Sequence, residues 1–372
     1  MNALPTEIDV LVVGAGPAGC ACARALALAG REVLLVDQVL AIEKLGQCLS
    51  ASARPLLQES ALLPWLERSG PEVASVAYSA WGRSDLQECQ FMLQNYGGGW
   101  NVDRRRFDTC LRAAAIEAGA LFIPARVQQM MRIGQFWHCL LHEGNGKGKP
   151  ENLRARWLVD ASGRRALCAQ RIGIKRINDE ALTALYASGP SPHDGRSIIE
   201  AVPFGWWYSA ALPGERRFAA LYVEADQAQH ILHQPGLWQQ KLRETQHISQ
   251  LCQINSQWAA PHATEACGSR LETPYGRGWI AVGDAAVAFD PLATQGIVTA
   301  LQTGASAAQA LLADAEKQAA MFTDYHIALE AMRRAHRYEL LQQYLLEMRW
   351  PDEHFWSSRH QAARAELPAN AL

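Results

Sequence analysis

The sequence predicts an α/β protein built on a discontinuous Rossmann-like sheet, and three separated glycine-containing fragments support this prediction. The first fragment, GAGPAG at residues 14–19, follows an apolar run at 8–13 and opens an alanine-rich stretch that reaches residue 30. The other two, at 157–163 and 279–286, are apolar runs that lead into Ala-Ser-Gly and Gly-Asp. Apolar strands that run into tight turns and helices are typical of a doubly wound, mostly parallel sheet.

The first fragment has the residues that a phosphate-binding turn requires. Gly14 allows the tight turn, Gly16 lets the backbone approach a pyrophosphate, and Gly19 permits close packing of helix on strand. A second predicted strand at 32–36 ends at Asp37, where a carboxylate can accept hydrogen bonds from a ribose. Phosphates would lie at the N-terminus of the helix. The fragment therefore predicts a dinucleotide site rather than a turn that binds nothing.

Taken together, the three fragments resemble the FAD-dependent monooxygenase and halogenase superfamily with the p-hydroxybenzoate hydroxylase type of fold. The resemblance implies FAD as the cofactor, with Asp284 on the ribityl chain and the backbone at 295–296 facing the isoalloxazine. It also implies that Arg104, three residues before an aromatic residue, contacts FAD, whereas Arg105 and Arg106 could equally be a solvated helix start. The residues assigned to FAD are Gly14, Gly16, Pro17, Ala18, Gly19, Asp37, Arg104, Val127, Gly283, Asp284, Pro291, Gln295 and Gly296.

Composition excludes several other classes of protein. The 372 residues are 49% hydrophobic and 19% charged, with a formal net charge of −2, so a large core is expected and binding to nucleic acid or an anionic membrane is not. The apolar runs are too short to span a membrane, and the first strand begins too close to Met1 for a signal peptide, which predicts a cytoplasmic protein. The nine cysteines lack metal-ligand spacing, so no metal site is expected and most are interpreted as buried thiols.

The pattern along the chain predicts two lobes and a tail. Helical patterning at 18–29, 107–118 and 295–313 alternates with apolar strands, whereas the region from 181 to 226 changes to extended segments joined through Pro213 and Gly214, which predicts an antiparallel sheet. Residues 227–257 are expected to be helical. The predicted divisions are an FAD-binding domain at 1–75, 100–178 and 265–315, a substrate domain with the antiparallel sheet at 76–99 and 179–264, and a C-terminal helical segment at 316–372.

Tryptophans mark two segments of the sequence. Trp206, Trp207 and Tyr208 lie on one predicted strand, so successive rings project to opposite faces and one should face the flavin lobe. The segment resembles the tryptophan motif that lines the passage between flavin and substrate in halogenases, although packing between lobes explains such rings equally well. Near the C-terminus, Trp350 and Trp356 predict a tail that packs back on the body or contacts a partner.

Candidate acid and base groups near the predicted cleft are Glu200, Tyr208 and Asp290. Glu200 stands out because a carboxylate inside an apolar strand needs a partner or a raised pKa, although an ion pair at a sheet edge is the commoner explanation. The candidate catalytic residues are Glu200, Trp206, Trp207 and Tyr208.

A lysine expected of halogenases is absent from this sequence. Halogenases of the resembling superfamily place a lysine between flavin and substrate, after a glycine-acidic loop. Here the loop at 44–49 has Gln47 where relatives carry an acid, and no lysine occurs between Lys44 and Lys147. Halogenation is therefore disfavoured. The expected reaction is oxygen transfer to an aromatic ring, with O2 as co-substrate and electrons from NAD(P)H or from a partner reductase.

Four stretches resemble one branch of this superfamily, the flavoproteins that mature cysteine tryptophylquinone in lysine and glycine oxidases. The stretches are 200–208, 281–292, 295–296 and 349–356. The resemblance implies a precursor oxidase polypeptide as partner and hydroxylation of one of its tryptophans. Two alternatives stay open: a hydroxylase of a free small aromatic, and a flavin-stabilised chaperone that binds the precursor without turnover.

Overall fold

The computed structural model describes residues 5–38, 47–74, 76–88, 99–144, 150–192, 194–252, 258–293 and 295–368. The strands in this part of the chain are β1 (Glu7–Val13), β2 (Val33–Asp37), β3 (Gln47–Leu49), β4 (Glu72–Ala74), β5 (Ala77–Ala80), β6 (Gln87–Glu88), β7 (Gly99–Val102), β8 (Leu121–Ile133), β9 (Phe136–Glu143), β10 (Glu151–Asp160), β11 (Arg176–Asn178), β12 (Thr183–Pro190), β13 (Ser197–Val202), β14 (Gly205–Leu212), β15 (Arg216–Val223), β16 (His262–Glu265), β17 (Ser269–Leu271), β18 (Tyr275–Gly276), β19 (Trp279–Ala281) and β20 (Val287–Ala288). The helices are α1 (Pro17–Leu28), α2 (Ala53–Glu59), α3 (Leu63–Arg68), α4 (Arg104–Glu117), α5 (Leu167–Arg171), α6 (Ala225–His233), α7 (Leu237–Arg243), α8 (Ile248–Leu251), α9 (Gly296–Leu312), α10 (Ala315–Leu346) and α11 (His354–Glu366).

The first large sheet is built around parallel strands in the order β8, β2, β1, β10 and β19. β1 and β2 are almost wholly apolar and buried, as expected for parallel strands covered on both faces. The long strands β8 and β10 extend beyond the parallel part and pair with β9 in antiparallel fashion. The predicted Rossmann-like sheet is confirmed, and residues 145–149, between β9 and β10, lie outside the described residues.

Helices α1, α4 and α9 cover this sheet and bring the glycine turn close to the later fragments. Proline at the first position of α1 fits a helix start, because the missing N–H has no intrahelical partner there. Asp103 caps α4 by accepting hydrogen bonds from the backbone N–H groups of Arg105 and Arg106 at 2.9 and 3.1 Å. Gly304 of α9 packs directly against the backbone of Ala18, so the two helices approach closely.

The second large sheet has the strand order β16, β12, β15, β14, β13, β5 and β6, and all pairs are antiparallel except β13 with β5. Helices α6, α7 and α8 lie against one of its faces. The predicted antiparallel sheet is confirmed. The predicted helical region at 227–257 contains three short helices as far as residue 252, because Pro235 and Gly236, with a φ of +82°, separate α6 from α7; residues 253–257 lie outside the described residues. The boundaries of the predicted domains stay predictions.

The C-terminal helices pack on the body of the protein, which was the first of the two predicted alternatives for the tail. Trp356 is completely buried and donates its indole N–H to the Val202 carbonyl at 2.9 Å. Arg359, also buried, forms an ion pair with Glu224 at 2.6 Å. Trp350 stacks on Trp356 with a centroid distance of 6.3 Å. In the described residues, no helix is both long and apolar enough to cross a membrane.

Candidate active site

A pocket of about 600 Å³ lies at the carboxyl ends of β1, β2, β10 and β19. Ligands of open α/β sheets bind at this edge, and the volume lies in the range of ligand sites. The predicted cofactor residues that line it are Gly14, Gly16, Pro17, Ala18, Asp37, Arg104, Val127, Asp284 and Gly296. The structure thus brings all three glycine fragments to one pocket.

The glycines of the first turn have three different geometries. Gly14 has a φ of +114°, and a Cβ there would overlap the carbonyl oxygen of Ala161. A Cβ on Gly19 would overlap the carbonyl oxygen of Gly14, so this glycine allows α1 to pack on the turn. At Gly16, no atom lies within 4 Å of an added Cβ, and the residue lines the pocket. The turn therefore has room for a phosphate group at Gly16 and for nothing larger than hydrogen at the other two positions.

Two aspartates in the pocket are held by neighbouring groups. Asp37 accepts a hydrogen bond from the backbone N–H of Ala15 at 2.8 Å, which ties the end of β2 to the glycine turn. The Asp284 carboxylate lies 3.7 Å from Arg164, and Arg176 donates to its backbone oxygen at 3.0 Å. Arg164 and Arg176 therefore orient the Gly-Asp turn from the side away from α1.

The arginines of the pocket were only partly predicted. Arg104 lines it and pairs with Asp108 at 3.3 Å, whereas Arg105 and Arg106 are exposed. Arg126, Arg165 and Arg171 also line the pocket, which gives it four arginines against two aspartates. Sequence reasoning missed these three, although Arg165 lies only two residues after the glycine fragment at 157–163. The excess of positive charge suits a diphosphate.

Four predicted cofactor residues are adjacent to the pocket without lining it. Gly283 has a φ of +57° and its N–H donates to Thr303 at 2.9 Å, so it shapes the Gly-Asp turn. Pro291 and Gln295 belong to the loop before α9, and Gln295 is exposed. Gly19 acts through packing. Thr294 of the same loop lies outside the described residues.

An aromatic face of the second sheet lies beside the pocket. We define it by Trp206, Tyr208, Phe218 and Tyr222, which alternate onto one side of β14 and β15 and pack in one cluster with Cys48 and Leu292. Trp206 stacks on Tyr222 with a centroid distance of 3.9 Å. Cys48 follows the loop after β2, and Leu292 belongs to the loop before α9. The aromatic face therefore contacts β3 and the loop that leads to Gly296, which lines the pocket.

Residues of the C-terminal helices complete the cluster. Trp81, at the end of β5, contacts Trp206 edge to face at 6.3 Å and Trp356 at 5.2 Å. Tyr344 of α10 is completely buried and lies 6.0 Å from Trp81. These long-range contacts were not predicted, because no local pattern links β5 with residues 262 positions later.

Two predicted catalytic residues lie on the opposite face of the sheet. Trp207 contacts Trp238 of α7 at 5.3 Å and is completely buried in the core there. Glu200 accepts hydrogen bonds from the backbone N–H groups of residues 246–248 at 2.5, 3.0 and 3.1 Å, which satisfies its charge without an ion pair. The placement of both at the cleft is corrected, because strand alternation turns them toward α7 and α8.

Burial shifts the titration of three groups near the aromatic face. Burial raises the pKa of Asp290 to about 6, although the carboxylate accepts hydrogen bonds from the Leu292 N–H at 2.9 Å and the Tyr344 hydroxyl at 2.8 Å. Burial also raises the pKa of the Cys48 thiol to about 11, so it is protonated at neutral pH and unsuited to act as a nucleophile. The pKa of Tyr208 is raised by burial as well.

Fold and pocket define the class of protein: an α/β protein with a dinucleotide pocket beside an aromatic second sheet. Residues 73–371 match the model of the tryptophan halogenase family, and residues 12–40 match that of the NAD(P)-binding Rossmann-like domain. The chain belongs to the tryptophan halogenase family. The predicted membership of the FAD-dependent monooxygenase and halogenase superfamily is confirmed, and with it an FAD-dependent oxidoreductase.

Individual relatives agree with this assignment. LodB of Marinomonas mediterranea, named as an FAD-dependent oxidoreductase, is 28% identical over 378 residues, which cover 95% of this chain and 96% of LodB. The structure of CmlS, a flavin-dependent halogenase, has a TM-score of 0.85 at 18% identity and covers 95% of this chain and 68% of CmlS. QhpG, a peptidyl tryptophan dihydroxylase essential for tryptophylquinone cofactor biogenesis, has a TM-score of 0.76 at 22% identity and covers 95% of this chain and 79% of QhpG.

Proposed function

We propose that this chain is an FAD-dependent monooxygenase that hydroxylates a tryptophan side chain of a precursor oxidase during tryptophylquinone biogenesis. The observation that carries the proposal is the position of the aromatic face. It packs with Cys48 of β3 and with Leu292, four residues before Gly296, which lines the pocket. An aromatic ring held there would lie between this face and a flavin ring at the mouth of the pocket.

The residues of the pocket fit FAD. The open backbone at Gly16 and the N-terminus of α1 would hold the pyrophosphate, with Asp37 at the ribose and Asp284 at the ribityl chain. Bound FAD, once reduced, supplies the oxygen transfer by reacting with O2. The electrons would come from NAD(P)H or from a partner reductase.

The contribution of the protein is to position the substrate ring and to keep it dry. Trp206 and Tyr222 form a stacked pair on the aromatic face, and stacked aromatic rings favour packing against a further ring. Trp206 and Tyr208 are 1% and 7% exposed, so the face is shielded from water. A tryptophan of a protein is the favoured substrate because the chain resembles LodB over its full length and shares its fold with QhpG, whose substrate is a peptidyl tryptophan.

Asp290 is the group best placed to accept the proton that an aromatic ring loses on hydroxylation. Its carboxylate is buried, it precedes the loop that leads to the pocket, and its pKa of about 6 leaves it ionised at neutral pH. The Tyr344 hydroxyl, 2.8 Å away, holds the carboxylate in place. General bases work best when their pKa lies near the working pH.

Halogenation is disfavoured even though the family contains halogenases. The lysine that positions oxidised halide in the resembling enzymes has no equivalent here, since no lysine occurs between Lys44 and Lys147. Without that amine, an oxidised halide has no group to hold it between flavin and substrate.

Co-expression of this chain with an amino-acid oxidase precursor from the same organism tests the proposal. We expect mass spectrometry of the precursor to locate added oxygen on a tryptophan, and we expect the Asp284→Ala variant to abolish it. Halogen on the tryptophan would instead identify a halogenase. A stable complex without any mass change would identify a chaperone, and oxygenation confined to added free aromatics would identify a small-molecule hydroxylase. Each of these three results would contradict the proposal.

A further inference from the structure

A group of buried polar atoms beside the aromatic face has no part in the chemistry described above. The group, which we call the Asn101 cluster, consists of Asn101, Ser197, Trp206 and Tyr208, which are between 1% and 7% exposed. In the described part of the chain, the atoms without a hydrogen-bond partner include Asn101 Oδ1 and Nδ2, Ser197 Oγ, Trp206 Nε1 and Tyr208 Oη. Buried polar atoms are nearly always hydrogen-bonded in native proteins, so this set points to a ligand.

Strand alternation turns Ser197, Trp206 and Tyr208 to the same side of the second sheet. Ser197 on β13 and Trp206 and Tyr208 on β14 project onto the aromatic face, since Ile199 and Ala201 of β13 pack in its cluster. Asn101 of β7 pairs with Cys48 of β3, whose side chain lies in that cluster. The neighbours of Asn101 in sequence, Trp100 and Val102, pack in the core of the first sheet. Asn101 therefore faces the aromatic face from the opposite wall.

The polar atoms of the second sheet are close together. Tyr208 pairs with Ile199 across β13 and β14, so Ser197 is its diagonal neighbour on the same face, and neither hydroxyl has a hydrogen-bond partner among the described residues. On the other wall, Arg104 lines the FAD pocket three residues after Asn101. The Asn101 cluster thus joins the aromatic face to β7, the strand that precedes the pocket residue Arg104 by two residues.

We propose that the Asn101 cluster recognises the in-plane polar edge of an indole, and so selects an indole over an aromatic ring without a ring N–H. The inference rests on the proposed function for the location of the substrate. An Asn side chain supplies one acceptor oxygen and two donor hydrogens, and hydroxyl groups supply either role. Asn101 Oδ1 would accept the indole N–H, while Asn101 Nδ2, Tyr208 Oη and Trp206 Nε1 would donate to the oxygen that hydroxylation adds to the ring. A plain benzene ring would leave all of these groups unsatisfied.

Binding of two matched probes to the FAD-loaded full chain tests the inference. The probes are N-acetyl-L-tryptophanamide and its 1-methylindole derivative, which differ only in the ring N–H, and binding is followed through the visible absorbance of the flavin. We expect the unmodified protein to bind the N–H probe about tenfold or more tightly than the methylated one, since the latter leaves a buried acceptor unsatisfied. The Asn101→Leu variant should bind both probes equally.

A second variant, Tyr208→Phe, tests the inference even if Asn101→Leu does not fold. Tyr208→Phe keeps the size of the ring and should reduce the preference severalfold. Tyr186→Phe is its matched control, because Tyr186 is buried on the same face of the sheet and contacts Phe218. This control should leave the preference unchanged.

Several results would overturn the inference. The first is that the unmodified protein binds the two probes equally, or binds neither of them. The second is that the preference for the N–H probe persists in both Asn101→Leu and Tyr208→Phe. Tenfold weaker FAD binding in Asn101→Leu would assign the cluster to the pyrimidine edge of the flavin, which also presents an N–H and carbonyl oxygens. Failure here is distinct from failure of the proposed function, because the co-expression experiment reads oxygen on a protein tryptophan and the present one reads binding without turnover.

Discussion

The two large sheets form their parts of the site in opposite ways. At the edge of the first sheet, glycine backbone and short aspartates surround an open pocket, and the turn and its Asp37 partner lie within one stretch of 24 residues, 14–37. On the aromatic face of the second sheet, large rings from β5, β14, β15, α10 and α11 pack against each other. The geometry of a backbone turn is determined by adjacent residues, whereas the packing of rings from distant elements is determined by the whole fold.

Substitution of Gly14 and of Gly16 by alanine, one at a time, should separate the structural glycine of the turn from the FAD-binding one. The loss of stability at Gly14 should be the largest effect of all. Gly14→Ala places a Cβ onto the Ala161 carbonyl at a φ of +114° and should destabilise the fold by about 4 kcal/mol or more. Gly16→Ala meets no protein atom within 4 Å, so its stability should change by less than about 0.5 kcal/mol while FAD affinity falls at least about tenfold. Urea unfolding and flavin titration measure the two effects. Equal loss of stability in both variants would contradict the assignment.

Asp290 lies between the aromatic face and the loop that leads to the pocket. Its ionisation should therefore change both the free energy of unfolding and the hydroxylation rate. Because burial raises its pKa from 3.8 to about 6, the folded state binds the proton more tightly than the unfolded chain does. Its contribution to the free energy of unfolding therefore falls as pH rises from 3.8 through about 6, by up to about 3 kcal/mol. The hydroxylation rate should rise across the upper part of the same window, because the ionised form accepts the proton.

Asp290→Asn should remove the pH dependence of both the stability and the rate. Above pH 6 the variant should be more stable than the unmodified protein, but its hydroxylation rate should be lower. Denaturation and single-turnover rates between pH 5 and 8 measure them. A rate that is independent of pH in the unmodified protein would exclude Asp290 as the proton acceptor.

Substitution of the adjacent residues Trp206 and Trp207 tests whether the two faces of the second sheet differ in function. Both rings are almost fully buried, so Trp206→Phe and Trp207→Phe should lose similar stability, about 1–3 kcal/mol. Only Trp206→Phe replaces an indole of the aromatic face by a smaller ring, and it alone should lower kcat/KM, by about tenfold. Steady-state kinetics with thermal unfolding distinguish them. An equal loss of kcat/KM in both variants would mean that the faces do not differ in function.

The smallest effect is expected within the arginine triplet. Arg104 lines the pocket and is held by Asp108, whereas Arg105 is exposed at the same helix start. Arg104→Ala should weaken FAD binding severalfold, and Arg105→Ala should change it little. Fluorescence titration of the apoprotein measures both. Identical affinities in the two variants would remove Arg104 from the cofactor site.

The sequence alone predicted the glycine turns at the edge of the first sheet, but it did not predict the contacts of the aromatic face on the second sheet. The strand, turn and helix around Gly14 follow from adjacent residues, and the later Gly-Asp turn could be matched to them by pattern. Glu200 was misplaced because its partners are backbone N–H groups at 246–248, which carry no side-chain signal. Trp356 predicted a tail that packs on the body but not its contact with Val202, and Asn101 gave no signal, since strand pairing decides what it faces.

The flavin content of the purified chain tests the central assignment most directly. The pocket at the carboxyl edge of the first sheet predicts a yellow protein that binds one FAD per chain, and a Gly16→Ala variant that folds but is largely colourless. A colourless protein whose folded state neither binds nor quenches added FAD would contradict the account.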